Sequence, residues 1–418
     1  MLRAFLLRFF DINLNMKSSV EPLFRLINRN DLSHVVRERL ERYPAPYDNH
    51  YGVVPMAPPE TGISLGSTAH RLTAAIGAIA QVDHLVQSIE DPYYIGRILV
   101  RQEAVSSSSI EGTNSTLDEL LGIEEQIEED RAEALQVRDY AALLERIVPV
   151  ARAHGSEIFD LDLIREIHRE VMMHDPDYRD IPGELRTCVV WIGGIRNIAR
   201  STYNPAPPAH VAPTLAHCLA YLRDEGMQAM AQSVVERMAI AHAHFEAVHP
   251  FRDCNGRVGR LLMPLVMAAN GHAPLYLSPY IEAHKAGYVE ALKAAQQRLE
   301  WADIVGFMSD AIVGTVAELH TTRAALSALS DRWKVRRRFR AGAASTRALD
   351  LLPSYPMITA NRFADMLGVS FPSATVAIEQ LLDADILRER TGYRRNRVFV
   401  AHEALRIINR PFGAEPEM

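Results

Sequence analysis

Residues 249–260, His249-Pro250-Phe251-Arg252-Asp253-Cys254-Asn255-Gly256-Arg257-Val258-Gly259-Arg260, constrain this chain more than any other stretch. An apolar-periodic helix over 234–248 delivers His249. Asn255-Gly256 then breaks the chain into a turn whose backbone N–H groups can face an anion. Beyond it Val258, Leu261, Leu262, Leu265 and Val266 recur at helical spacing. The order is therefore helix, turn, helix N-terminus, and a helix N-terminus favours negative charge. Arg257 and Arg260 lie three apart and share a face, so two guanidinium forks suit a polyphosphate. His249 offers a base that is neutral near pH 7, and Asp253 offers hard oxygen ligands for Mg²⁺. Arginines on a helix are usually solvated, and a His-Pro pair is usually structural. Here base, metal ligand and phosphate cradle fall within one short string.

Helical periodicity governs most of the remaining chain, and the fold class reads as mostly α. Runs over 68–89, 134–150, 161–173, 211–223, 281–297 and 302–326 each read as a helix. Asp91-Pro92 opens a further one, with Pro at the first helical position. That helix ends in Ser106-Ser107-Ser108-Ser109-Ile110-Glu111-Gly112, with Gly112 as its stop. Thr116 and Glu119 form a capping box for the next. Pro264 predicts a kink in the 255–269 helix, or an earlier end. Pro44, Pro46, Pro55, Pro58 and Pro59 forbid long helices before residue 66, and an extended strap is expected there. Among the helices, Val189-Val190-Trp191-Ile192 is β-branched and aromatic and turns at Gly193-Gly194, a short hairpin.

The 418 residues and the net charge of −7 suit two or three globular domains and argue against a chain that coats nucleic acid. Charge is uneven, with an acidic run at 124–130 and basic clusters at 332–340 and 388–397. Cys188, Cys218 and Cys254 make no disulfide framework and fit a reducing compartment. No apolar run approaches a membrane span. The first ten residues have the apolar character of a signal peptide, but Arg8 interrupts them and no cleavage site follows. They read as a peripheral tail, with Met16 as an alternative start, and cytoplasm is the expected location. His242 and His244 raise a zinc reading, yet no Cys or carboxylate completes a ligand set. His242, on the stripe of Val235, Met238 and Ala239, reads as a core histidine.

Toward the C-terminus, Thr359 caps a helix over 360–367, Gly368 stops it, and Ser370 starts another to Asp383. Helix, short turn, helix is the helix-turn-helix pattern. The 386–400 stretch alternates around Thr391-Gly392-Tyr393 as a hairpin or wing. Arg388, Arg390, Arg394, Arg395 and Arg397 on that wing could meet DNA phosphates. The second helix carries Glu379 and Asp383 instead, which favours a dimerisation or docking module.

The string His-x-Phe-x-Asp-x-Asn-Gly-Arg-x-x-Arg at 249–260 resembles the signature of the Fic (filamentation induced by cAMP) family. Ser107-x-x-x-Glu111-Gly112 is similar to that family's inhibitory motif, and Gly183-Glu184-Leu185-Arg186 with Trp191-Ile192-Gly193-Gly194 is similar to its flap. The resemblance implies a Fic-type helical bundle with a β-hairpin flap, plus a C-terminal winged helix-turn-helix domain. The expected layout is a 1–66 tail and strap, a 67–328 Fic domain with its inhibitory helix at about 92–112, its flap at about 184–200 and its signature at 249–260, a 329–344 basic linker, a 345–405 winged helix and a 406–418 tail.

The resemblance also implies an activity, transfer of AMP from ATP to a Tyr, Thr or Ser hydroxyl of a target protein, which can be the chain itself. His249 would be the catalytic base and Asp253 the Mg²⁺ ligand. Cys254, Asn255, Gly256, Arg257, Val258, Gly259 and Arg260 would hold the phosphates. Val190, Trp191, Ile192 and Gly193 of the flap, with Tyr288 and Gln296, would line the rest of the nucleotide site. Glu111, beside Ser107 and Gly112, would pair with Arg260 in place of the γ-phosphate and restrain the enzyme. A homodimer is implied as well. Removal of AMP at the same site, with Glu111 positioning a water, is one alternative; a nucleotide-sensing DNA-binding regulator is another. The family usually has Gly or Ala at position 254. A thiol at a helix N-terminus has a lowered pKa, so Cys254 is expected to be reactive beside the phosphates, with Cys188 across the cleft.

Overall fold

Local signals set most of the helix ends in the computed structural model, which describes residues 31–88, 93–125, 131–194, 197–226, 231–391 and 397–417. The first thirty residues, the Asp91-Pro92 helix start, the acidic 126–130 stretch and the wing tip with Arg394 and Arg395 lie outside the described residues. The "serine helix", Tyr93–Ile110, stops where Gly112 takes a φ of +89°, a conformation glycine enters freely. Thr116 caps Leu117–Glu124, with Glu119 closing the box. Ser233 and Glu236 do the same for the "histidine helix", Val234–Val248.

The body is a layered helical bundle around one large core. At its centre the histidine helix packs on the "signature helix", Asn255–Ala269, of which residues 255–268 are all buried. That burial explains why Pro264 does not end it. Packing on every side offsets the about 3 kcal/mol that a mid-helix proline costs. Ala69–Ser88, Ala132–His154, Leu161–Met172 and Val211–Leu222 surround the central pair. The helix expected over 281–297 is three pieces, Ser278–Ala283, Lys285–Lys293 and a π-turn at Ala294–Arg298. The wider turn buries Ala294 and Ala295 and carries the Gln297 amide to the Thr202 carbonyl at 3.1 Å.

The strap is a short helix, His34–Glu38, and a hairpin pairing Leu40–Arg42 with Tyr51–Val53. It lies against the expected flap, where the Tyr43 hydroxyl donates to the Pro205 carbonyl at 2.5 Å. The flap itself is less regular than the predicted hairpin. Residues 189–191 run without a strand ladder; among the described residues the flap pairs with itself at one antiparallel bridge, Ile192 with Tyr203, and Pro205 bridges to Val53 of the strap.

The expected 329–344 linker is shorter in the structure. A 36-residue "shaft helix", Trp301–Arg336, runs through its first half, and 337–343 makes the connection to the next helix. Leu326, Leu329 and Trp333 recur at helical spacing and insert into a second core, so the chain gains by staying helical. Around that core stand the helices Ala344–Leu351, Ala360–Leu367, Phe371–Asp383 and His402–Ile408, and a three-stranded antiparallel sheet in the order Met357–Thr359, Val398–Val400, Arg388–Glu389. Thr359, Gly368 and Ser370 cap or stop the two middle helices as expected. The second core is shared with the body, because Ile98 of the serine helix is buried in it with Leu117 and Leu121. Gln102 donates to the Ile408 carbonyl at 2.8 Å, and the Thr359 N–H donates to Glu125 at 3.0 Å.

Candidate functional site

The turn between the histidine and signature helices is held by its own side chains. His249 ends the first helix in the left-handed region, φ 51° and ψ 62°. Asn255 spends its amide on Phe251, accepting from the Phe251 N–H at 2.8 Å and donating to its carbonyl at 2.9 Å. Phe251 is fully buried and stacks on His168 with ring centroids 3.8 Å apart. Asp253 is exposed, and one of its oxygens accepts from the Cys254 N–H at 2.6 Å. Cys254 also adopts a left-handed φ of 65°, a conformation that favours glycine.

Arg260 is the most enclosed charge of the site, 1% exposed. Its Nε donates to Ser107 Oγ at 2.9 Å, and its Nη2 donates to the Ser107 carbonyl at 2.8 Å and to Glu111 Oε1 at 2.7 Å. Burial opposes the Arg260 charge, but Glu111 together with Tyr288, Glu246 and Tyr140 outweighs it and holds the guanidinium protonated. Burial pushes the Glu111 pKa up and Arg260 pulls it further down, so the carboxyl stays below its usual range. Gly256 leaves room for this pair; a β-carbon there would lie 2.0 Å from Glu111 Oε1. Lys285 Nζ donates to the Ile110 carbonyl at 2.6 Å and secures the last turn of the serine helix.

Arg257 and Arg260 do not act as one fork pair. The Arg257 Nη1 turns to Gln136 Oε1 at 2.8 Å, with Nη2 3.6 Å from Met172 Sδ. Three residues on a helix leave the two side chains about 60° apart on one face, and what separates the guanidinium groups is their partners, Gln136 for Arg257 and Ser107 with Glu111 for Arg260. Val258 is fully buried, and a β-carbon on Gly259 would lie 2.8 Å from Glu246 Oε1. Sequence reading passed over Glu246, one helical turn before His249. Its pKa is pushed up to about 7 by burial, against the pull of Arg260. Gln136 and Lys285 carried no recognisable signal.

His249 is partly exposed, and its imidazole is held down at about 4 by burial and by the Arg186 cation, with Glu111 opposing. It is therefore neutral at pH 7 and able to accept a proton. Cys254 behaves oppositely to expectation. Its thiol is 4% exposed, and burial pushes its pKa up to about 12, because the left-handed turn aims it into the core rather than at the open N-terminus. Cys188 is part-exposed.

Of the flap residues, Trp191 lies with its ring centroid 5.5 Å from that of Tyr47 on the strap. Ile192 donates its N–H to the Tyr203 carbonyl at 2.8 Å, and the Val190 carbonyl accepts from Tyr43 at 3.5 Å. Gly193 takes a φ of 77° beside Thr202. Tyr288 is buried and donates its hydroxyl to His242 Nε2 at 2.6 Å, while His242 Nδ1 meets the Gly259 carbonyl at 3.1 Å. His242 is thus a core histidine. Gln296 faces a small cavity lined by Met56, Ala243 and His244, whose lining includes neither Glu111 nor Arg260. Among the described residues no cluster of three His, Cys, Asp or Glu side chains could hold a metal ion, and no helix is long and apolar enough to cross a membrane.

Residues 158–267 match the model of the Fic/DOC family, and residues 69–146 match that of the Fic/DOC family N-terminal region. The chain is similar to protein adenylyltransferase fic-1 of Caenorhabditis briggsae, with 38% identity over 118 residues, 28% of this chain and 21% of that protein. It is also similar to a probable protein adenylyltransferase of Aquifex aeolicus, 27% identical over 203 residues, 48% of this chain and 56% of that protein. The chain therefore spans between a fifth and just over half of these relatives' lengths. A Fic family protein from Desulfovibrio desulfuricans G20 shares the fold, with a TM-score of 0.50 at 19% identity over 82% of this chain and 98% of that one. With the two models matched in chain order, and the histidine, the two arginines and the turn of the signature set at one helix junction, residues 158–267 form a Fic/DOC family domain, preceded at 69–146 by that family's N-terminal region.

Proposed function

We propose that the chain is a protein adenylyltransferase that Glu111 holds in a restrained state. The observation that carries this reading is the grip on Arg260 by Ser107 and Glu111 at the N-terminal turn of the signature helix. A buried guanidinium beside a helix N-terminus suits the phosphates of ATP. A carboxylate in its place withholds the guanidinium and repels the triphosphate.

His249, neutral and part-exposed, takes the proton of a target Tyr, Thr or Ser hydroxyl. The hydroxyl oxygen bonds to the α-phosphorus of ATP, the bond to the bridging oxygen breaks, and pyrophosphate leaves. The target keeps AMP and the proton passes to the imidazole. Asp253 is an exposed carboxylate next to the helix N-terminus, and it suits Mg²⁺, which takes one or two protein carboxylates and substrate phosphates. Bound there, the ion would neutralise phosphate charge. The 189–193 segment would dock an extended piece of the target through its main chain.

The C-terminal unit supports docking within the chain better than DNA binding. Arg388 pairs with Asp385, Arg390 with Asp118 and Arg397 with Glu389, so each described wing arginine already meets a carboxylate. The exposed face of Phe371–Asp383 presents Phe371, Val376, Glu379 and Asp383, which phosphates would not attract.

Mass spectrometry of the wild-type chain, Glu111→Gly and Glu111→Gly/His249→Ala after incubation with Mg²⁺-ATP tests the reading. AMP adducts on Glu111→Gly alone are expected. Equal adducts on all three, or none on Glu111→Gly despite bound ATP, would reject it.

A further inference from the structure

Arg186 is a buried cation, 3% exposed, and among the described residues no carboxylate pairs with it. Burial lowers its pKa to about 10, so it stays charged at neutral pH. Its partners are carbonyls. Nε donates to His249 at 2.7 Å, Nη1 to Cys188 at 3.1 Å, and Nη2 to Ala206 at 2.7 Å and Val248 at 3.3 Å. Its own backbone N–H donates to Pro250 at 2.9 Å. One residue thus holds three successive carbonyls, 248, 249 and 250, where the histidine helix ends. It ties them to both limbs of the flap, residue 188 going out and residue 206 coming back.

Two facts make this more than a brace. His249 is non-glycine in the left-handed region, which costs about 1–3 kcal/mol and persists only where surroundings over-determine it. Arg186 supplies that determination at His249 and on both its neighbours. The Val248 carbonyl it holds also lies at the negative end of the helix dipole, which a cation stabilises. A lysine could not reproduce the arrangement, because its three donors radiate from one atom whereas the guanidinium spreads five across a plane.

We infer that Arg186 is a positioning residue that fixes the flap and the His249 backbone to one another, so that a target laid on the flap meets the base at a set distance. This rests on the transferase reading. It predicts that loss of the fork slows the chemical step and leaves nucleotide binding in place. A small misplacement of a reacting group costs about 100-fold.

The test uses the full chain as Glu111→Gly, with Arg186→Gln and Arg186→Lys added separately. AMP-adduct formation on the chain is followed against ATP concentration, and amide hydrogen exchange is read by peptide. The expected result is a fall in kcat of about 100-fold for Arg186→Gln, KM for ATP within twofold, and faster exchange confined to the peptides around 186–192 and 248–252. Arg186→Lys should recover less than a tenth of the lost kcat. Unchanged kcat with unchanged exchange overturns the inference, as does faster exchange spread through the whole chain, which marks a mere brace. If Arg186→Gln fails to fold, Arg186→Lys decides by the same criteria. Should Glu111→Gly itself form no adduct, the transferase reading fails, and the exchange pattern alone decides the role of Arg186.

Discussion

Glu111 Oε1 occupies the space that a β-carbon on Gly256 would fill, 2.0 Å from it, and the same β-carbon would lie 2.9 Å from Arg260 Nη1. The glycine of the signature therefore admits the carboxylate that sits on the arginine of the signature. Gly256→Ala should expel the carboxylate and release Arg260. The helix loses nothing by the change, since alanine favours a helix over glycine by about 1 kcal/mol. Adduct formation should rise toward the level of Glu111→Gly, read by intact-mass spectrometry. Adducts no higher than in the wild-type chain would show that the contact imposes no restraint.

His249→Ala in the Glu111→Gly background should reduce AMP transfer by about 10²–10⁴-fold, the range for loss of a single general base. ATP affinity, measured by calorimetry, should stay near that of Glu111→Gly, because the groups proposed to hold the phosphates belong to the signature helix. Full transfer by the double variant would remove His249 from the mechanism.

Buried histidines set the acid limit of stability. Burial lowers His168 to about 4, His242 and His244 to about 3, and His249 to about 4. In the unfolded chain they titrate near 6.5. Below that value the unfolded state binds more protons, so stability is complete above about pH 6.5 and is lost as pH falls toward 4. Thermal melts should show Tm falling steadily from pH 7 to pH 5. A flat Tm across that interval would contradict the burial of these rings.

Cys254 should resist alkylation in the folded chain, because its thiol is enclosed and pushed up to about 12. Cys188, part-exposed, should label first. Peptide mapping after brief iodoacetamide treatment separates the two. Early labelling at Cys254 would mean that the signature turn opens in solution.

Ile98→Ala should cost about 2–5 kcal/mol, the range for emptying a buried aliphatic site. Ile98 belongs to the serine helix but is buried in the C-terminal core. Hydrogen exchange should therefore rise in both the 93–110 and 349–367 peptides. A response confined to one of them would show that the two units do not share that core.

Much of the architecture was legible because its causes are local. Gly112, Thr116, Ser370 and Gly368 act on residues within one turn, and the apolar repeats of Leu161–Met172 and Ala360–Leu367 report their buried faces directly. The order of His249, Asn255-Gly256 and the arginines was likewise set within one short string. What only the tertiary structure decided are contacts between distant parts of the chain, which leave no period or cap to read. Arg260 meets Ser107 across 153 positions, and Arg186 meets His249 across 63. Arg257 left its expected partner for Gln136, 121 positions away. The shaft helix continued through a polar, basic stretch because a second core received Leu329 and Trp333. Cys254, chemically plausible as a thiolate, was decided by the direction its left-handed backbone gives the side chain. Periodicity states which face of an element is buried; which groups meet there depends on packing, and packing placed Arg186 on the carbonyls of the base.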